Sequence, residues 1–174
     1  MNSLETQITA PVPDVPLVFE ARTIFQLARN RAGLPENGKL KGAHLGTEHL
    51  LLYLAQDQSV QKILETTGIP VDDLTSRLDT YINEEDDNLP DTNEEGLTPT
   101  VVTTINNAKG LAERDGTRVT AIHLYAGLIE SGRGKALMLL GTYLGYSENN
   151  REATPLIQAR LLAHIPSMRV VEKQ

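Results

Sequence analysis

Gly46-Thr47-Glu48-His49-Leu50-Leu51-Leu52-Tyr53-Leu54 decides the fold, because Thr120-Ala121-Ile122-His123-Leu124-Tyr125-Ala126-Gly127-Leu128 repeats its frame. His49 falls on His123, Leu50 on Leu124 and Leu54 on Leu128, each pair 74 residues apart. Self-similarity at a fixed offset marks a chain built from two copies of one unit, neither of which buries its apolar face alone.

The repeat extends outward from these stretches. Upstream, Ala21, Phe25, Ala28 and Ala32 are spaced 4, 3, 4 and share one helical face. Val101, Ile105, Ala108 and Ala112 repeat that spacing 80 residues later. Thr98-Pro99 supplies this second helix with an N-cap and a proline at its first position. Downstream of the first quoted stretch, Thr47 is placed to cap a helix to about Gln56, and Asp57-Gln58-Ser59 breaks it. A short helix then carries Val60, Ile63 and Leu64 and closes at Gly68; the next starts near Pro70, with Val71, Leu74, Leu78 and Ile82 as its stripe. In the second copy, helices are expected over 121–130 and 134–144. A last one starts at a Ser147 cap and runs to about His164, with Leu156, Ile157, Ala159, Leu161 and Leu162 as its apolar positions.

The expected architecture is all-α, about eight helices in two four-helix repeats related by a pseudo-twofold. Residues 1–16, with Pro11, Pro13 and Pro16, read as a flexible arm. The double-repeat domain spans 17–163, with repeat one at 17–83, an acidic linker at 84–96 and repeat two at 97–163. Residues 164–174 form a short tail.

Charge and composition exclude several function classes. The net charge of −7 resides in the linker, where seven acids have no base among them, so no basic surface is left for nucleic acid or an anionic membrane. The linker is too polar to pack and reads as solvated. Cysteine is absent, which removes disulfides, thiol nucleophiles and thiolate metal sites and fits a reducing, cytosol-like compartment. No apolar run spans a membrane, and the N-terminus lacks the order of an export signal.

Catalytic motifs fail in turn. Ser131-Gly132-Arg133-Gly134-Lys135-Ala136 has a Gly-Lys pair, but alanine stands where a phosphate loop needs Ser or Thr, so it reads as a glycine-rich turn. His44 and His49 are five apart and do not share a helical face as a zinc pair does, while His123 and His164 have no carboxylate at ligand spacing. His49 and His123, just inside helix starts, are expected to bond to backbone or neighbouring side chains. No catalytic residue, metal ligand or cofactor is expected.

Gly46-Thr47-Glu48-His49-Leu50-Leu51-Leu52, then Ile63-Leu64 and Thr67-Gly68-Ile69, resembles the repeat of the Clp N-terminal domain, the amino-terminal module of unfoldases such as ClpA and ClpC. Leu97-Thr98-Pro99 resembles the start of that family's second repeat. The resemblance implies a cytoplasmic (in a plant, plastid stromal) protein-binding module of the Clp chaperone–protease system. Its partners would be substrate or adaptor proteins, a Clp ATPase or a ClpP-type protease. No Walker motif is present, so the chain resembles a stand-alone domain, such as the plastid Clp accessory proteins, or a detached N-domain; a repurposed helical scaffold without a Clp partner is the remaining reading. The resemblance also carries over two phosphoarginine sites, each using a Thr from a first helix and the Glu of Gly-Thr-Glu-His. Here the first repeat keeps Glu48 but has Val18 at the Thr position, and the second keeps Thr98 but has Ile122 at the Glu position, so each site is expected to keep half its polar set. Thr47, Glu48 and Thr98 are the candidate partner-binding residues.

Overall fold

The computed structural model describes residues 19–34, 44–84, 91–148 and 150–166. Among them are eight α-helices: α1 Phe19–Arg31, α2 Thr47–Leu54, α3 Gln58–Thr67, α4 Val71–Asn83, α5 Pro99–Asp115, α6 Ala121–Glu130, α7 Lys135–Tyr143 and α8 Thr154–Leu162, the last preceded by a 3-10 turn at Arg151–Ala153. Four helices fall in each repeat, and no β-strand is present among the described residues. None of the described helices is long and apolar enough to cross a membrane.

The repeat pattern becomes the core. Leu50 and Leu54 of α2 and Leu124 and Leu128 of α6 are wholly or almost wholly buried, as are Ala21, Phe25 and Ala28 of α1 and Val101, Ala108 and Ala112 of α5. The central helices α2 and α6 are covered nearly all round, which is why their quoted stretches are more apolar than a surface helix needs.

Residues just ahead of the helices join the halves. Leu45, before α2, and Leu97, before α5, form an isolated parallel bridge. Leu45 N donates to Gly96 O at 2.8 Å, and Thr98 N donates to Leu45 O at 3.1 Å. The end of the acidic linker is therefore fixed and not solvated throughout: Gly96 is buried, and Asn93 Oδ1 accepts from Glu95 N and Leu97 N. Burial lowers the pKa of Arg29, enclosed in α1, and the charge of Glu95 in the linker opposes that shift. Linker residues 85–90, the arm 1–16 and residues 167–174 lie outside the described residues.

Several boundaries differ from expectation for local reasons. Gly46, with extended backbone, is the N-cap residue of α2, and Thr47 is its first helical residue. Asp57 is a cap and not part of a break: its Oδ2 accepts from Ser59 N at 3.0 Å and Val60 N at 3.2 Å, which starts α3 two residues early. Ser147 does not cap the last helix. Asn150 Oδ1 accepts from Ala153 N and starts the 3-10 turn, α8 begins at Thr154, and Leu156 is left 58% exposed while Ile157 and Leu161 pack inward. Ile165, assigned to the tail, is wholly buried.

The halves pack unequally. An added Cβ at Gly127 of α6 would lie 2.5 Å from Thr104 O and 2.9 Å from Ala108 N of α5. Asn107 Nδ2 donates to Gly127 O at 3.1 Å. The counterpart of Gly127 in α2 is Tyr53, so only the second repeat brings these backbones into contact. Gly127→Ala is accordingly expected to destabilise the fold by about 2 kcal/mol, despite alanine's better helix propensity, and to lower the melting temperature by roughly 5 °C in circular dichroism.

Candidate functional site

The bridge between Leu45 and Leu97 sets the starts of α2 and α5 side by side, and α7 begins beside them. Thr47 makes the third connection: its Oγ1 accepts from Ala136 N at 3.3 Å. A hydroxyl from repeat one thus bonds an amide in the first turn of a helix in repeat two. Gly134, at φ +96°, sits so close that an added Cβ would lie 2.6 Å from Thr47 Oγ1. The sequence Ser131 to Ala136 is the glycine-rich turn expected of it, and Gly134 is where the close approach demands glycine.

Between these helix starts lies a cleft of about 370 Å³, lined by His44, Thr47, Glu48, Asp91, Thr98, Arg133 and Lys135, with Gly46, Pro99, Thr100 and Gly134 between them. All three candidate partner-binding residues line it. Thr47 is 2% exposed, Glu48 3% and Thr98 9%, so they form its buried floor, while Arg133 and Lys135 are exposed at the rim. Thr98 also caps α5 as expected, its Oγ1 accepting from Val101 N at 3.3 Å. The floor presents a carboxylate and hydroxyls, and the rim presents Arg133 and the acid Asp91 beside the positive end of α7, while the Lys135 ammonium lies 5.0 Å from the centroid of the Tyr81 ring.

Glu48 and Thr98, expected at separate places, come together. Glu48 of repeat one and Thr98 of repeat two line the same cleft, because the bridge sets the starts of α2 and α5 side by side. One site therefore holds both groups. The alignment partners Val18 and Ile122 supply neither, and residue 18 lies outside the described residues.

Glu48 explains the glycine before it. The Glu48 carboxylate folds back over Gly46, where an added Cβ would lie 2.2 Å from Oε1. In repeat two the matching pair is Thr120 and Ile122: with no carboxylate present, threonine occupies the cap and its Oγ1 accepts from His123 N at 3.4 Å. Gly46-Glu48 and Thr120-Ile122 are alternative ways of filling the same space.

Both helix-start histidines hold their own cap backbone, as expected: Gly46 N donates to His49 Nδ1 at 3.1 Å, and Thr120 N donates to His123 Nδ1 at 3.0 Å. Two features escaped the sequence reading. His123 Nε2 lies 2.7 Å from Asp115 Oδ2, a carboxylate eight residues upstream at the end of α5 that only the α5–α6 turn brings near. His44, ahead of α2 and not on it, stands beside His49, with ring centroids 5.3 Å apart and planes at 78°. Its Nε2 is 3.7 Å from Glu48 Oε2. The five-residue spacing concealed this contact because extended backbone at Leu45 intervenes.

A larger hollow of about 760 Å³ lies between the Ser131–Gly134 turn and the start of α8. It gathers none of the candidate residues.

The model of the family described as the Clp repeat (R) N-terminal domain matches residues 20–143. No curated protein matches the sequence. Among solved structures, one reported under preliminary structural investigations of a malarial protein secretion system superposes with a TM-score of 0.53 at 18% identity, covering 83% of this chain and 93% of that one. At that identity the likeness is one of fold.

Burial pushes His49 down from 6.5 to about 4, with the nearby Glu48 charge opposing the shift. Between those two values the unfolded chain binds a proton that the folded chain does not, so stability present above pH 6.5 is lost as pH falls toward 4. The loss is about 3 kcal/mol for this residue. Urea denaturation across that window should show it, and His49→Asn, whose Oδ1 can accept the Gly46 bond, should flatten the slope.

Proposed function

The chain belongs to the Clp repeat N-terminal domain family, and from that premise we propose that it is a non-catalytic protein-binding module of a Clp chaperone–protease system. It receives substrate or adaptor proteins, or serves as an accessory subunit, for a Clp ATPase or ClpP-type protease in the cytoplasm or plastid stroma. The observation that carries this reading is the cleft at the repeat seam, where Thr47, Glu48 and Thr98 converge beneath Arg133 and Lys135. A buried carboxylate below a rim of mixed charge, Arg133 and Lys135 with Asp91, suits a polar peptide side chain.

A phosphorylated arginine is the ligand whose chemistry fits both levels. Its guanidinium seeks a carboxylate, which Glu48 supplies, and its phosphate seeks cations and helix N-termini, which the rim and α7 supply. The co-location of Glu48 and Thr98 in one cleft supports this reading. Free phosphoarginine should shift the amide resonances of Thr47, Glu48 and Thr98, and arginine alone should shift them at least tenfold more weakly.

The partner reading is tested by affinity capture from lysate of the source cells, read by mass spectrometry. The wild-type chain is compared with Glu48→Gln and Arg133→Glu, each verified as folded. A Clp ATPase, a ClpP-type subunit or its adaptor should be recovered by the wild type and depleted several-fold with either variant. Equal recovery by all three forms would retain the pathway and remove the cleft as its interface. Recovery of no Clp component by the wild type would overturn the proposal.

A further inference from the structure

His44, Glu48 and His49 are 8%, 3% and 3% exposed, so two imidazoles and a carboxylate are enclosed together, His44 and Glu48 lining the cleft and His49 beside them. One potential ligand atom from each lies within 4.8 Å of the other two. Groups of this kind are costly to desolvate together unless each finds a strong partner. Two histidines and one carboxylate are also a ligand set that zinc takes, with nitrogen at about 2.0–2.1 Å and oxygen at about 2.0–2.2 Å.

We propose that His44, Glu48 and His49 form a site for a zinc-class divalent cation, bound through two imidazole nitrogens and one carboxylate oxygen. Tetrahedral ligands at those bond lengths stand about 3.3 Å apart, so the widest pair has to close by about 1.5 Å, which side-chain rotation provides. His49 accepts the Gly46 N–H at Nδ1, so its ring proton sits on Nε2 and its lone pair points toward Gly46. The ion takes that lone pair in exchange for the hydrogen bond. His44 and Glu48 both line the cleft, so the fourth coordination position faces it, open to water or an anionic group.

Repeat two is the internal comparison. The positions matching His44, Glu48 and His49 are Arg118, Ile122 and His123, and His123 is engaged by Asp115 instead. The site is thus peculiar to the first repeat. It does not rest on the partner assignment above, but both use Glu48, so zinc and a guanidinium compete for that carboxylate.

Untagged protein, stripped with a chelator, is titrated with zinc chloride by calorimetry near neutral pH. One saturable site is expected, weakened at least tenfold by His44→Ala and by the near-isosteric Glu48→Gln, and unchanged in His164→Ala. Because a substitution at the cleft floor can loosen the fold, each variant is checked by circular dichroism. In the wild type alone, zinc should also displace the Gly46 amide resonance and raise the melting temperature. Absence of saturable binding, or binding undiminished in folded His44→Ala and Glu48→Gln, would overturn the site.

Discussion

Two backbone hydrogen bonds made by Leu45, one to Gly96 O and one from Thr98 N, hold the halves of this protein in register. They are buried under Leu45 and Leu97, which are 0% and 2% exposed, and so work where water does not compete. Their position matters more than their number. Each precedes a helix start, so pairing them aligns α2 with α5 and creates the corner in which α7 also begins. The cleft, the cap glycine and the cluster of His44, Glu48 and His49 all follow from that alignment.

Periodicity made the helices legible. Leu50 with Leu54, and Val101 with Ile105, Ala108 and Ala112, place the core correctly because burial on one face of a helix is a property of sequence spacing alone. Thr98 was legible for the same reason, a cap being a local event. Where the reading failed, the deciding partner was distant. Thr47 looks like a cap until the amide of Ala136, 89 positions later, claims its hydroxyl. Leu156 looks like a core residue until Asn150, not Ser147, sets the start of the turn and rotates the following helix.

The candidate site was half legible. Its residues could be named from the repeat, but their grouping could not, because sequence alignment pairs equivalent positions within each copy while the fold pairs positions across copies. The loss of Glu at Ile122 and of Thr at Val18 looked like damage to two sites. In three dimensions Glu48 and Thr98 line one cleft. The same logic hid His44, whose neighbour is set by the extended backbone of Leu45 and Gly46 between it and α2.

The bond from Ala136 N to Thr47 Oγ1 bears on how the chain is made. During synthesis, Thr47 leaves the ribosome long before Lys135 and Ala136, so the first four helices emerge without the partner that completes their seam. With Leu45 waiting for Leu97 as well, the leading half spends that interval with apolar edges uncovered. The seam of the leading half is therefore completed only when the second half has been made.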